Sequence, residues 1–284
     1  MTERIIRVDG VHVPRFLYGT AWKEEATPRL TELALEQGFR GIDTANQRRH
    51  YNEAAVGQAI SAAIERGLVT RDDLFVQSKF TFRQGHDHRL PYNPDAPFAI
   101  QVEQSFESSL QHLGIEVIDS YLLHGPMMGA GLTAADWEVW RTMEAIHATG
   151  RARLIGVSNF TLEQLDELCQ NARVTPRVVQ NRCYASTGWD LRVRTFCKAN
   201  QLVYEGFSLL TANRPALAHP ELARIAQRHD RSVSQIVFRF ALEIGMIPLT
   251  GTTNAEHMRA ELETFKFSLE PDEVARIERL SANS

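Results

Sequence analysis

Residues 117–124, VIDSYLLH, and 152–158, ARLIGVS, decide how this chain reads. Both are short apolar runs of strand character, and between them Trp137, Trp140 and Met143 share one helical face. Neither run alternates strictly, as expected of parallel strands that are covered by helices on one side and packed into a barrel on the other. The pattern extends in both directions. FLYGT (16–20), FRGID (39–43), LFVQSKF (74–80), RVVQN (177–181), LVYEGF (202–207) and MIPLTG (246–251) bring the strand runs to eight. The intervening segments have helical spacing, as with Val102, Phe106, Leu110 and Leu113. Gly38, Gly67, Gly114 and Gly150 each stand just before the next strand, where helices commonly stop. The expectation is a single (β/α)8 TIM barrel of the α/β class, one domain over residues 1–284. Ahead of the first strand, IIRVDGVHV turns at Asp9-Gly10, a hairpin dipeptide, and this N-terminal hairpin is expected to plug the barrel's bottom. Ser232 is placed to cap the helical stretch that precedes the eighth strand.

Composition narrows the class. With 43% hydrophobic and 23% charged residues and a net charge of -4, the 284-residue chain lacks the basic excess of a nucleic-acid binder. No stretch is long enough to span a bilayer, and the charged start MTERIIRVDG does not resemble a signal peptide, so a cytoplasmic location is expected. Cys169, Cys183 and Cys197 are odd in number and without CxxC spacing, which supports neither a disulfide framework nor a thiolate metal site. His86 and His88 flank Asp87, but no second ligand cluster of matching spacing accompanies them, and no metal is expected. Oligomeric state is not legible.

The strand ends carry the chemistry. In a (β/α)8 barrel all strand C-termini open on one face. Asp43, Lys79, His124, Ser158 with Asn159, Gln180 with Asn181, and Phe207 end six of the runs in order. Taken singly, each has a plain structural role: Asp43 or Ser158-Asn159 as a helix cap, Lys79 and Tyr51 at the surface, His124 as a hydrogen-bonded histidine, Phe207 in the core. Their joint order points instead to one composite site. Reduction of a carbonyl needs a hydride donor, which no side chain supplies, and a proton donor near the developing alkoxide. A tyrosine suits the second role when a nearby cation lowers its pKa. Lys79 offers that charge, Asp43 would pair with Lys79, His124 could hydrogen-bond the substrate oxygen, and Tyr51 is the tyrosine in reach.

DTANQRRHYNEAAVG, VQSKF, YLLHGP, GVSNF and VVQN, in this order and over essentially the whole chain, resemble the aldo-keto reductase superfamily. The resemblance implies NAD(P)H-dependent reduction of an aldehyde or ketone, with a catalytic tetrad falling on Asp43, Tyr51, Lys79 and His124. It places the nicotinamide carboxamide on Ser158, Asn159 and a residue of the sixth strand, either Gln180 by identity or Asn181 by spacing to Tyr184. It places an aromatic stack on Phe207, with Ser208 and Leu210 following, and matches Gly19 and Thr20 to the end of the first strand. For the phosphates it points to Thr250, Gly251 and Thr252 at the start of the last barrel helix and to His257 in place of an arginine, with Arg259 two residues on. NADP(H) is the expected cofactor, with NAD(H) the alternative. Two departures stand out, the order Gln180-Asn181, reversed from the family's Asn-Gln, and the place of the tyrosine. The family tyrosine lies five residues after the aspartate, where this chain has Arg48; Tyr51 is followed by Asn-Glu and Val-Gly as the family tyrosine is, which implies a longer loop before it. A histidine at position 124, rather than glutamate, favours carbonyl over carbon-carbon double-bond reduction.

Trp22, Arg48, Phe80, Phe82 and Tyr92 are expected to line a pocket for a small carbonyl substrate, with the loops 81–97, 125–131 and 211–219 as walls. The run Arg48-Arg49-His50 reads first as a solvated loop, and second as a site for an anionic group on the substrate. Other readings share the fold: an alcohol or sugar dehydrogenase working oxidatively, a nicotinamide-binding regulatory protein with little turnover, or a non-redox enzyme using Lys79 as a Schiff-base amine.

Overall fold

Asp9 and Gly10 both adopt positive φ (47° and 85°), as a two-residue primed turn requires, and fold strands β1 (Ile5–Val8) and β2 (Val11–Pro14) into an antiparallel hairpin. The structure, a computed structural model, describes residues 4–280. Eight further strands follow: β3 (Leu17–Gly19), β4 (Gly41–Asp43), β5 (Phe75–Phe80), β6 (Ile118–Leu123), β7 (Ala152–Ser158), β8 (Val178–Arg182), β9 (Val203–Phe207) and β10 (Ile247–Thr250). They close into a parallel barrel in sequence order, with β10 paired to β3. All eight coincide with the runs read from the sequence.

Two apolar layers hold the barrel. The outer one packs helices against outward-facing strand residues; Val102, Phe106, Leu110 and Leu113 of the helix Phe98–Leu113 belong to it. The inner one joins Leu17, Phe75, Leu122, Leu154, Val178, Val203 and Ile247 to Val8, Val11 and Val13 of the hairpin. The hairpin is therefore the floor of the barrel. Gly156 lies on this inner surface, where a Cβ would run into the Val178 carbonyl and the Leu122 side chain. Above the apolar layer the inward positions turn polar, with Gln77, Lys79, Asp43, Gln180 and Glu205 all buried. Ser232 caps Val233–Glu243 in a capping box with Gln235. No described helix is long and apolar enough to cross a membrane.

Candidate active site

The polar layer opens into a cleft of about 870 Å³ at the C-terminal ends of the strands. Asp43, Tyr51 and His124 form one wall, Ser158, Asn159, Gln180 and Phe207 the next, and Thr250, Gly251, Thr252 and His257 the far end. Gly19, Trp22, Ser208 and Leu210 complete the set of expected residues that border it. Trp22, Asn159 and Ser208 hold left-handed backbone (φ 60°, 58° and 59°), a conformation that is uncommon for such residues and clusters at functional sites.

Strand pairing explains the first wall. Asp43 and Lys79 end adjacent strands β4 and β5, and both point inward because side chains alternate with period two. The Lys79 Nζ lies 2.6 Å from Asp43 Oδ1 and also donates to the Thr44 carbonyl at 2.8 Å. Burial alone would lower the Lys79 pKa, but Asp43, Tyr51 and Glu205 outweigh it and the net direction is upward. Lys79 is fully buried behind Asp43 and Tyr51, its Nζ 5.5 Å from the tyrosine ring centroid. Tyr51 stands edge-on to His124 with ring centroids 5.8 Å apart. Its hydroxyl pKa is raised, chiefly by burial; Lys79 acts downward but does not prevail, contrary to the lowering expected from the cation. Tyr51 therefore carries its proton at neutral pH. His124 is pushed well below its usual range by burial first and then by Lys79, so it is neutral. Its Nδ1 is engaged by Thr81 Oγ1 at 2.7 Å.

Thr161, not Ser158 or Asn159, caps the helix Leu162–Asn171, which leaves those two side chains at the cleft. Asn159 donates to the His124 carbonyl at 2.8 Å and to Ser158 Oγ at 3.1 Å. Gln180 and Asn181 part company. Gln180 faces inward and donates to Asp43 and Glu205 at 3.0 and 2.8 Å. Asn181, one residue on, faces outward and is engaged with the backbone of Phe160 and with Asp190.

Several expected pocket residues lie elsewhere. Phe80 follows the inward Lys79 and so faces the helices, where Phe82 and Tyr92 pack on it; all three are buried in the outer core. His86 of the loop 81–97 is buried beside them, and the Tyr92 hydroxyl and His86 Nε2 both meet the Thr81 carbonyl. Asp87 pairs with Arg89. Thr20 is buried and donates to the Asp43 carbonyl. Arg48 lies outside the main cleft. It donates to the Tyr51 carbonyl at 3.1 Å and borders an annex of about 240 Å³ with Trp22, Arg49, His50, Tyr51 and Arg89.

Other residues line the cleft as well: His50, from the run read as a solvated loop or an anion site, and Lys23 and Arg182, which the strand-end pattern does not mark. His50 lies against the Trp22 ring at 3.9 Å between centroids. Lys23 bridges to the Gly251 carbonyl, and Arg182 sits 5.6 Å from the centre of the Phe207 ring. Arg182 and Glu205 were within reach of the alternation rule, each being two residues from an inward side chain, Gln180 and Phe207. At the far end, the turn after β10 uses its own donors: Thr252 and Asn254 N–H groups go to Thr250 and Thr252 hydroxyls, and the helix Ala255–Leu262 is capped by Asn254.

A buried lysine-carboxylate pair beside a protonated tyrosine and a neutral histidine, at the mouth of a (β/α)8 barrel, is an arrangement suited to acid-base chemistry. The model described as the aldo/keto reductase family matches residues 17–282, and the chain belongs to that family. It is an oxidoreductase of that class. It is 32% identical to the Bacillus subtilis uncharacterized oxidoreductase YtbE over 97% of this chain and 91% of the relative. The glyoxal reductase of Bacillus subtilis is 29% identical, over 96% of this chain and 91% of the relative. Among solved structures, a Brucella melitensis aldo/keto reductase superposes with a TM-score of 0.82 at 28% identity, covering 99% of this chain and 100% of the other. The Bombyx mori aldo-keto reductase AKR2E4 in complex with NADP superposes with a TM-score of 0.82 at 28% identity, covering 99% and 93%.

Proposed function

We propose that the protein reduces an aldehyde or ketone with NADPH, with Tyr51 as proton donor. The observation that carries this reading is the meeting of Asp43, Tyr51 and His124 on one wall of the cleft, with Lys79 buried directly behind them. The residues present fit the nicotinamide. Ser158, Asn159 and Gln180 combine donors and acceptors suited to a carboxamide, and the half-buried Phe207 offers a ring face. NADP in a similar structure supports the phosphorylated dinucleotide, and His257, which lines the cleft, and Arg259 lie on the helix Ala255–Leu262 at its far end. Gln180 takes the carboxamide in this reading, since Asn181 is engaged on the outer side of the strand.

The bound dinucleotide supplies the hydride. Tyr51, kept protonated by its burial, gives its proton to the oxygen of the reacting carbonyl. Lys79 stabilises the phenolate that results, and Asp43 holds Lys79 charged. His124, neutral, donates from Nε2 to the carbonyl oxygen, which requires the tautomer in which the Thr81 hydroxyl donates to Nδ1. The reading extends to one barrel domain acting in the cytoplasm; three free cysteines suit a reducing compartment.

The test begins with fluorescence titration of the protein with NADPH and NADH, followed by an aldehyde screen. Binding of NADPH with turnover is expected. Tyr51→Phe should fold, bind NADPH and lose about 10²- to 10⁴-fold in kcat; turnover within a few fold of wild type would remove Tyr51 from the role.

A further inference from the structure

We propose that Glu205 is held as a neutral carboxylic acid beneath the tetrad, donating its own proton to Gln77, and that its ionisation weakens proton transfer at Tyr51. The first half concerns the folded chain alone; the second rests on the reading of Tyr51 as proton donor.

Glu205 lies on β9, fully buried, opposite Gln180 in the strand register. Gln77 lies opposite Asp43. Two amides thus face two carboxylates across the barrel. Gln77 Nε2 donates to Asp43 Oδ1 at 2.9 Å and to Glu205 Oε2 at 2.7 Å. Gln180 Nε2 donates to the same two oxygens at 3.0 and 2.8 Å. An amide nitrogen has two protons, so both amides are exhausted. Turning either one over would set a carbonyl against Asp43 Oδ1, the oxygen paired with Lys79, so this orientation is dictated by the surroundings.

Two oxygens remain without a partner: Glu205 Oε1 and Gln77 Oε1. Both are acceptors if Glu205 is ionised, and two buried acceptors without a donor are costly. One proton on Glu205 Oε1 resolves both, because a carboxylic acid and a primary amide form a closed pair with two hydrogen bonds. The charge balance agrees. Asp43 from β4 faces Lys79 from β5, which has no other carboxylate partner among the described ion pairs. Tyr51 adds a neutral hydroxyl, β8 presents Gln180, and β10 presents Ile247 opposite Glu205. An ionised Glu205 would leave one uncompensated negative charge inside the barrel. Burial, with Asp43 next among the raising effects, outweighs the two amides and Lys79 and lifts the Glu205 pKa to about 7.

The consequence reaches the reaction through Lys79. Proton transfer from Tyr51 creates a phenolate that Lys79 must stabilise, and a second buried carboxylate nearby opposes that stabilisation. Glu205 is thus a positioning residue with a pH-dependent effect. It does not touch the substrate.

Glu205→Gln separates these statements, since its amide donates to Gln77 Oε1 and its carbonyl accepts from both neighbouring amides. It is a permanent copy of the neutral acid. The first measurement is thermal unfolding of wild type and Glu205→Gln without cofactor between pH 4.5 and 8.5. The folded pKa of Glu205 lies above its unfolded value, so its favourable contribution is fully present at low pH and is lost as pH rises through about 7. Glu261 is also lifted to about 7 by burial, but it contributes equally to both proteins and cancels in their difference. Glu205→Gln is expected to gain on wild type up to about pH 7 and to run parallel above it. Parallel curves throughout would overturn the neutral acid.

The second measurement is kcat against pH at saturating NADPH and aldehyde. If the added charge raises the Tyr51 pKa by about one unit, wild-type kcat falls up to about tenfold across neutrality, while Glu205→Gln stays level. Identical profiles would overturn the coupling to Tyr51 and leave the neutral acid standing. Absence of turnover at every pH would count against the reductase reading and the coupling together, while the unfolding curves still decide the protonation of Glu205.

Discussion

Asp43→Ala tests the electrostatic core of the site. Asp43 Oδ1 accepts from Lys79, Gln77 and Gln180 at 2.6, 2.9 and 3.0 Å, and all four side chains are buried. Removing the carboxylate leaves the Lys79 ammonium, 0% exposed, with only the Thr44 carbonyl as partner. Breaking a buried pair in this way costs roughly 3–5 kcal/mol, because one charge stays inside without its counter-charge. At about 2–4 °C per kcal/mol for a large domain, the melting temperature should fall by about 6–20 °C. The loss should shrink at high pH. Without Asp43, burial depresses the Lys79 pKa in the folded state, so the unfolded chain binds more protons and stability rises with pH until the unfolded lysine also titrates. The assay is thermal and urea unfolding of Asp43→Ala beside Asp43→Ala/Lys79→Met. Removing both charges should recover most of the loss, apart from about 1 kcal/mol for each amide hydrogen bond. A single variant within about 1 kcal/mol of wild type, or a double variant no more stable than the single, would refute the reasoning.

Phe207→Ala should raise the Kd for NADPH about fivefold to tenfold, the worth of one aromatic stack, with little change in melting temperature because the ring is only half-buried; an unchanged Kd would place the nicotinamide elsewhere. Gly156→Ala should destabilise by about 1–3 kcal/mol through overpacking against the Val178 carbonyl, as read by urea unfolding. A neutral result there would mean that β7 and β8 can separate without cost.

The barrel was legible because its information is local. Apolar runs, helical spacing and the Asp9-Gly10 turn each depend on neighbours within a few residues, and the eight strands fell where these signals put them. Strand ends were legible for the same reason, which is why Asp43, Lys79, His124 and Ser158 could be read as a series along one face of the barrel. What a side chain meets was not legible. Lys79 and Asp43 are 36 residues apart in sequence, Gln180 and Asp43 are 137 apart, and Gln77 and Glu205 are 128 apart. Only the closed register of the barrel brings them together. That closure also turned Asn181, Phe80, Phe82 and Tyr92 away from the cleft, set Arg48 on the backbone of Tyr51, and let burial prevail over Lys79 in holding the tyrosine proton. The sequence alone determined which residues end the strands; the tertiary structure decided which of them share a proton, because hydrogen-bond inventory and desolvation depend on neighbours that are distant in the chain.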